Sequence, residues 1–119
     1  MTLQKLIPIL YTEQLKETVD FYEHTLGFKC IAFEDNWHWA QLKLDSVELM
    51  LSKPNQHFPF DKPTFTGSFY IRTDNIEKQW KKLKNHVKVC YPIENFDYGM
   101  REFAIFDNNG YIIQFGQEL

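Results

Sequence analysis

The chain is rich in aromatic side chains and poor in the residue patterns that catalyse reactions. Its 119 residues include 11 Phe, 6 Tyr and 3 Trp. A core of this size does not need so many rings, so some are expected to line a pocket or an interface. No Ser-His-Asp or Cys-His pattern is legible, and no glycine-rich phosphate loop exists among 5 Gly. The histidines, at predicted helix ends and strand flanks, are interpreted as surface residues: His24, His38, His57 and His86.

Strand alternation sorts the remaining candidates onto one face of a sheet. Alternate residues of a strand share a face, so apolar positions mark the side that packs on helices. In the predicted strand 68–73, Tyr70 lies opposite that side, and in the predicted strand 111–115 Gln114 does so. In 37–44 the tryptophans Trp37 and Trp39 are left on the face opposite the helices. In 100–106 the two faces are harder to assign, and Glu102 lies on the opposite side from Phe103.

The elements that position these side chains begin with an amphipathic helix. Leu15, Val19, Tyr22 and Leu26 recur at helical spacing, with Thr12 as a predicted N-cap and Gly27 as the stop. Strands are predicted around it at 6–11, 28–34, 37–44 and 47–51, with turns at Asp35-Asn36 and Asp45-Ser46.

The second half of the chain repeats this order. Ile76, Trp80 and Leu83 lie 61 positions after Leu15, Val19 and Tyr22, and Val87 continues the second stripe. Strands are predicted at 68–73, 87–91, 100–106 and 111–115, with a loop at 92–99 and a hairpin turn at 107–110. The sequence thus predicts a single domain, 1–119, made of two βαβββ modules, 3–54 and 65–117, joined by a proline-bearing linker, 55–64. The fold class is α+β, a curved mixed sheet forming a cup with helices on its outer face.

Two motifs carry a family resemblance. FYEHTLGF at 21–28 and DNNGYIIQF at 107–115 resemble the vicinal oxygen chelate superfamily, which includes glyoxalase, bleomycin resistance proteins and dioxygenases. The resemblance covers essentially the whole chain and is nearest to the bleomycin-resistance-like members. It implies the glyoxalase/bleomycin resistance-like fold and a cup that binds a small molecule.

The resemblance also implies where a metal would be held. Enzymes of the superfamily bind one divalent cation through His, Glu or Gln of the first and last strands of each module. The corresponding positions here are Ile7, Met50, Ser68 and Gln114. Ile7 offers no donor, Met50 only a thioether and Ser68 a neutral hydroxyl, whereas such cations need oxygen or imidazole ligands. We therefore expect no metal site and no cofactor; a shift in register would add only Glu48.

In the bleomycin-binding relatives, aromatic rings at the rim of the cup stack on a flat cationic ligand. The positions here that look similar are Trp39 or Trp37, Phe65 and Tyr98. Such rings, with an acid such as Glu102, would suit a planar or cationic ligand. Two alternatives stay open: the rings seal a dimer interface, or Glu102 merely pairs with Arg101.

The sequence is compatible with three hypotheses about function. The leading hypothesis is a metal-free small-molecule binding protein with an unknown ligand at Trp37, Trp39, Phe65, Tyr70, Tyr98, Glu102 and Gln114. The second is a metal-dependent lyase or dioxygenase with a non-standard site built from Glu48, Gln114 and Glu102. The third is a dimer module without a ligand.

Composition bears on partners and compartment. A net charge of −3 and a pI near 5.8 argue against nucleic acid. No apolar run approaches the ~20 residues that span a bilayer, and the N-terminus lacks the apolar region of a signal peptide. Cys30 and Cys90 are isolated, which favours reduced thiols in the cytoplasm. A short chain with one open sheet face is expected to form a homodimer.

Overall fold

Each half of the chain folds around its own four-stranded sheet. The computed structural model describes residues 1–34, 36–55, 57 and 60–119, divided into two compact units, Met1–Asp61 and Lys62–Leu119. Asp35 of the predicted turn and Gln56, Phe58 and Pro59 of the predicted linker 55–64 lie outside the described residues.

The elements of unit 1 (Met1–Asp61) are β1 Ile9–Tyr11, α1 Leu15–Asp20, a π-helical turn Phe21–Thr25, β2 Lys29–Phe33, β3 Trp39–Leu44 and β4 Val47–Ser52. The sheet order is β1-β4-β3-β2. Strands β1 and β4 pair in parallel, and the other two pairs are antiparallel.

The elements of unit 2 (Lys62–Leu119) are β5 Phe69–Arg72, α2 Ile76–Leu83, β6 Lys88–Phe96, β7 Met100–Phe106 and β8 Ile112–Glu118. The unit repeats the topology of unit 1 with the sheet order β5-β8-β7-β6, in which β5 and β8 are the parallel pair. Both units follow the predicted order β, α, β, β, β, and the predicted α+β class is confirmed.

The helix faces predicted from periodicity form the two cores. Leu15, Val19, Tyr22 and Leu26 are all buried. In unit 2, Ile76 and Leu83 are buried, and the Trp80 ring packs on Phe103 with centroids 5.0 Å apart. The prediction that Val87 continues this helical stripe is wrong, because α2 ends at Leu83.

The first helix differs from the prediction in its second half and at its start. The N–H of Leu26 donates to the carbonyl of Phe21 over 3.2 Å, a π-type spacing that widens the last turn. Gly27, at φ +87°, then turns the chain into β2. The residue that precedes α1 is Gln14 rather than Thr12, whose hydroxyl accepts from the Gln14 N–H instead.

The largest departure lies in β6, which corrects the predicted short strand 87–91 and loop 92–99. Pro92 suggested a break, but β6 continues to Phe96 through two register shifts, between Val89 and Tyr91 and between Tyr91 and Glu94. Proline is compatible with a strand at such irregularities, because no ladder bond is required of it there.

Candidate functional site

One row of side chains crosses the sheet of unit 2 on the face away from α2. The ladder pairs Tyr70 with Gln114, Gln114 with Ala104, and Ala104 with Tyr91. In the adjacent row, Glu102 of β7 pairs with Gly116 of β8. The opposite face carries Phe103, Ile105 and Phe115, which are buried with the helix. Alternation therefore delivers the tyrosines, the amide and the carboxylate to a common surface.

Glu102 is the centre of this surface, and its side chain is fully buried. The Tyr70 hydroxyl donates to Oε1 over 2.9 Å, and the Tyr91 hydroxyl donates to Oε2. Gln114 Nε2 lies 3.3 Å from Oε2 and 2.7 Å from the Tyr91 oxygen, while its own Oε1 accepts from Ser68. Tyr98 is a further neighbour of the carboxylate and lowers its pKa. We call Tyr70, Tyr91, Tyr98, Glu102 and Gln114 the Glu102 cluster.

A tight hairpin presents Tyr98 to the carboxylate. Phe96 and Met100 pair across the β6–β7 connection, which leaves a three-residue loop from Asp97 to Gly99. Gly99 adopts φ +87°, the left-handed conformation that this loop length requires, and its N–H donates to the Phe96 carbonyl over 3.1 Å. The Tyr98 ring stacks on Phe96 with centroids 5.6 Å apart and stays 64% exposed.

Glu102 is held as a carboxylate by its neighbours. Burial alone would raise its pKa, but the hydrogen bonds from Tyr91, Tyr70 and Gln114, together with the nearby Tyr98, outweigh burial and leave the pKa lowered. The reciprocal effect is seen on the phenols. Burial, together with the bond to Glu102, raises the pKa of Tyr70 to about 12, and it raises that of Tyr91 further still. The cluster is thus an ionised carboxylate ringed by neutral phenols.

Four of the predicted site residues meet in this cluster: Tyr70, Tyr98, Glu102 and Gln114. Phe65 belongs to the same unit, but its ring stacks on Phe69 with centroids 4.8 Å apart. Phe69 pairs with the buried Ile113, on the helix side of the sheet. The suggested Glu102–Arg101 pair is wrong, because Arg101 forms its ion pair with Glu77.

The two predicted tryptophans lie in unit 1. Trp39 is the first residue of β3, half-buried and paired with Ser52. Trp37 is outside the strand in which it was predicted: its φ is +57°, and its ring stacks on Phe33 with centroids 4.7 Å apart. That left-handed conformation breaks the alternation that assigned Trp37 to a face.

Sequence reasoning missed Tyr91 and Phe96. Tyr91 ends the predicted strand 87–91, where a register shift on either side invalidates a simple alternation, and Phe96 lies in the part of β6 that was predicted as a loop. Phe96 supports two members of the cluster, since its ring packs edge-on against Tyr91 at 5.6 Å and face-on against Tyr98. Tyr91 could have been recognised from the sequence, because an amphipathic ring at the end of a predicted strand is typical of a residue that lines a site.

The equivalent row of unit 1 carries no carboxylate and no phenol. Ile9 pairs with Met50 as Tyr70 pairs with Gln114, and Met50 is opposite Gln41. Glu48, the other acid considered for a metal, is paired already: Lys5 forms an ion pair with it, and Gln41 Nε2 donates to it over 2.9 Å. The Lys5 contact, more than any other, lowers the pKa of Glu48.

The donors at the four metal positions implied by the fold do not fit a divalent cation. Ile7 and Met50 supply no oxygen or nitrogen, and the Ser68 hydroxyl and the Gln114 amide are bonded to each other. Within the described ranges, no group of three or more His, Cys, Asp or Glu side chains could hold a metal ion.

Comparison with solved structures finds the same fold at low sequence identity. TioX from Micromonospora sp. ML1 superposes with a TM-score of 0.79 at 12% identity, covering 98% of this chain and 99% of that one. TnmS3, an antibiotic binding protein from Streptomyces sp. CB03234, gives 0.75 at 22%, with 100% of both chains covered. Lactoylglutathione lyase from Agrobacterium tumefaciens gives 0.75 at 16%, covering 98% and 96%.

Sequence comparison gives the family. A search of curated proteins found no match. A family model described as the Glyoxalase/Bleomycin resistance protein/Dioxygenase superfamily matches residues 5–115. This match spans nearly the whole chain. It agrees with the repeated four-stranded topology of the two units and with the resemblance of the motifs at 21–28 and 107–115. The chain therefore belongs to the glyoxalase/bleomycin resistance protein/dioxygenase superfamily.

Proposed function

We propose that this protein binds a planar or cationic small molecule on the face of unit 2 that carries the Glu102 cluster. The observation that carries the proposal is the placement of exposed rings over a buried anion. Tyr98 is 64% and Tyr70 41% exposed; the Tyr70 hydroxyl donates to a carboxylate that is 0% exposed, and the Tyr98 ring stacks on Phe96. Anchored rings offer contact area to a ligand at little cost in conformational entropy.

Similarity to other proteins supports binding as the activity. TnmS3 is an antibiotic binding protein with the same fold over its full length. Its ligand is not transferred to this chain, since the identity is 22%. What supports ligand binding here is this chain's own aromatic surface together with a fold that other proteins use for that purpose.

The proposed binding does not depend on a metal. Glu48 is engaged by Lys5, Gln114 by Ser68 and Tyr91, and Glu102 by two phenols and an amide. A cation would have to displace these partners and would gain only two carboxylates and a neutral amide. The lowered pKa also makes Glu102 a weak general base. These properties disfavour the alternative, a metal-dependent lyase or dioxygenase with a non-standard site.

Thermal-shift measurements test the binding proposal. A panel of planar cations, such as acridinium and phenanthridinium dyes, is expected to include compounds that raise the melting temperature of the wild type. The Tyr98→Ala variant, which removes an exposed ring in a turn, should lose that rise. Phe33→Ala, which removes a 51% exposed ring in unit 1, should keep it. If no compound shifts the wild type, the binding proposal fails.

We also propose a cytoplasmic homodimer. Leu3, Leu6 and Ile9 of unit 1 expose large apolar side chains, which association would cover. Cys30 and Cys90 are both free thiols, as in a reducing compartment. No helix in the described part of the chain has the length and hydropathy to cross a membrane. Light scattering coupled to size exclusion would give the assembly. If Tyr98→Ala alters it without altering binding, the rings serve an interface.

A further inference from the structure

The carboxylate of Glu102 is out of reach of a ligand. Its side chain is 0% exposed, and Tyr70, Tyr91 and Gln114 of the protein already donate to it. A ligand that approaches the cluster therefore meets the field of a negative charge to which its own N–H groups do not bond.

The acceptors left near the surface are neutral phenol oxygens. The Tyr91 oxygen already accepts from Gln114 Nε2 over 2.7 Å. The Tyr70 oxygen lies close to the backbone of Gly116, where a Cβ would be only 1.9 Å away. Tyr98 is the most exposed of the three tyrosines. A primary ammonium group, which brings three N–H donors, would lose more hydrogen bonds to water than this surface returns.

The negative charge itself is not neutralised by a cation of unit 2. Among the described residues, Arg72 pairs with Glu118 over 3.3 Å, and Arg101 pairs with Glu77. Glu102 takes part in neither pair. Its charge is therefore felt at the surface through the tyrosines, whose rings become richer in electrons as their hydroxyls donate to it. Electron-rich aromatic faces attract cations, most strongly when the cation is poorly hydrated.

We infer that the Glu102 cluster recognises a quaternary ammonium group on its ligand, in preference to an ammonium that carries N–H protons. Such a group has a full positive charge and no hydrogen bonds to satisfy, so it matches a surface that offers charge and ring faces but few acceptors. The exposed face of Tyr98, supported from behind by Phe96, and the exposed part of Tyr70 supply the contacts. The inference rests on the proposed function and specifies its ligand class.

Three probes separate charge from hydrogen bonding. Choline carries the quaternary group, 3,3-dimethylbutan-1-ol has the same shape without the charge, and methylammonium has the charge with three N–H donors. NMR titration of the full chain should show saturable shifts of β7 and β8 amides with choline. Methylammonium should bind at least roughly tenfold more weakly, and the neutral alcohol weaker still. Equal or tighter binding of methylammonium would overturn the inference.

Two substitutions of one exposed residue then test the mechanism. Tyr98→Leu removes the ring and should weaken choline binding roughly tenfold. Tyr98→Phe keeps the ring and the buried charge, so the affinity for choline should change by less than about threefold. Phe33→Leu in unit 1 should leave choline binding unchanged. A Tyr98→Leu variant that binds choline like the wild type would contradict the inference.

The result can be told apart from failure of the proposed function. If planar compounds raise the melting temperature and need Tyr98 while choline does not bind, the site is real and the quaternary ammonium inference is wrong. If neither planar compounds nor choline bind, both the site and its ligand class are refuted.

Discussion

The phenol oxygen of Tyr70 lies over Gly116, in the space that the side chain of any other residue would fill. A Cβ at position 116 would be 1.9 Å from that oxygen and 2.6 Å from the ring carbon that bears it. Gly116 pairs with Glu102 across the sheet, so the bare backbone is the path by which Tyr70 reaches the carboxylate. The glycine is required here for close approach and not for its φ.

Gly116→Ala should therefore detach Tyr70 from Glu102 while the sheet remains folded. The added methyl occupies the position of the hydroxyl, and the phenol, at the end of a flexible side chain, must swing away. Without the bond to Glu102 and with more exposure, the pKa of Tyr70 should fall from about 12 towards its ordinary value. Absorbance titration near 295 nm, compared with Tyr70→Phe, measures the shift.

Gly67→Ala is the matched control for that substitution. A Cβ on Gly67 meets only the Phe65 ring, at 3.1 Å, and does not contact Tyr70. Its tyrosine titration should match that of the wild type. If Gly116→Ala also leaves the titration unchanged, Tyr70 does not reach Glu102 by the path described.

Glu102→Gln should lower the free energy of unfolding. The amide keeps one acceptor oxygen, but its NH₂ group faces donors, Tyr91 or Gln114 on one side and Tyr70 on the other. Leaving a buried hydrogen-bonding group unmatched costs about 1–3 kcal/mol. Urea unfolding at pH 7 measures the loss, and Glu94→Gln, on the exposed residue paired with Glu102, should be close to neutral.

The stability that Glu102 contributes should decrease at acid pH. The folded pKa of Glu102 is lowered, so its contribution to stability is complete above the unfolded pKa of about 4.3 and is lost as the pH falls through the folded value. The difference between the wild type and Glu102→Gln should therefore shrink below about pH 4. A difference that stays constant down to pH 2 would show that Glu102 does not titrate as described.

Periodicity predicted the parts of this fold that depend on regular alternation. The Leu15–Leu26 stripe, the strand Met100–Phe106 and the Asp107 turn all occur as predicted, and Asp107 Oδ1 accepts from three backbone N–H groups. The same rule placed Tyr70 and Gln114 on their face; for Glu102 it gave only that the side chain lies opposite Phe103.

Alternation failed where the backbone departs from regular geometry. The bulges of β6 hid Tyr91 and Phe96, and the left-handed Trp37 broke the pattern of its predicted strand. Side-chain contacts between distant residues could not be predicted either. Nothing in the spacing of the sequence indicates that the Tyr70 side chain lies over Gly116, or that Arg101 pairs with Glu77 rather than with Glu102. Such contacts depend on register and close approach, which single-residue patterns do not encode.

Alkaline pH should weaken the fold through Tyr70. Its folded pKa, about 12, exceeds the unfolded value of about 10, so its contribution is complete below pH 10 and is lost as the pH rises through 12. The difference in unfolding free energy between the wild type and Tyr70→Phe should accordingly narrow from pH 8 to pH 12. A difference that persists at pH 12 would mean that the hydroxyl bond is not what stabilises the wild type.

Divalent metals should neither copurify stoichiometrically with this protein nor stabilise it. Elemental analysis of the untagged chain, before and after incubation with Zn²⁺, Ni²⁺, Mn²⁺ or Fe²⁺, is expected to give well below one ion per chain, with no rise in melting temperature. Ser68→His combined with Gln114→Glu is the matched gain-of-site variant. The two residues already touch, and Gln114 lies beside Glu102. The change therefore supplies an imidazole and a second carboxylate, and Zn²⁺ should then raise the melting temperature. About one tightly held ion per wild-type chain would show that other donors form a site, and would bring the metal-dependent lyase or dioxygenase back to first place.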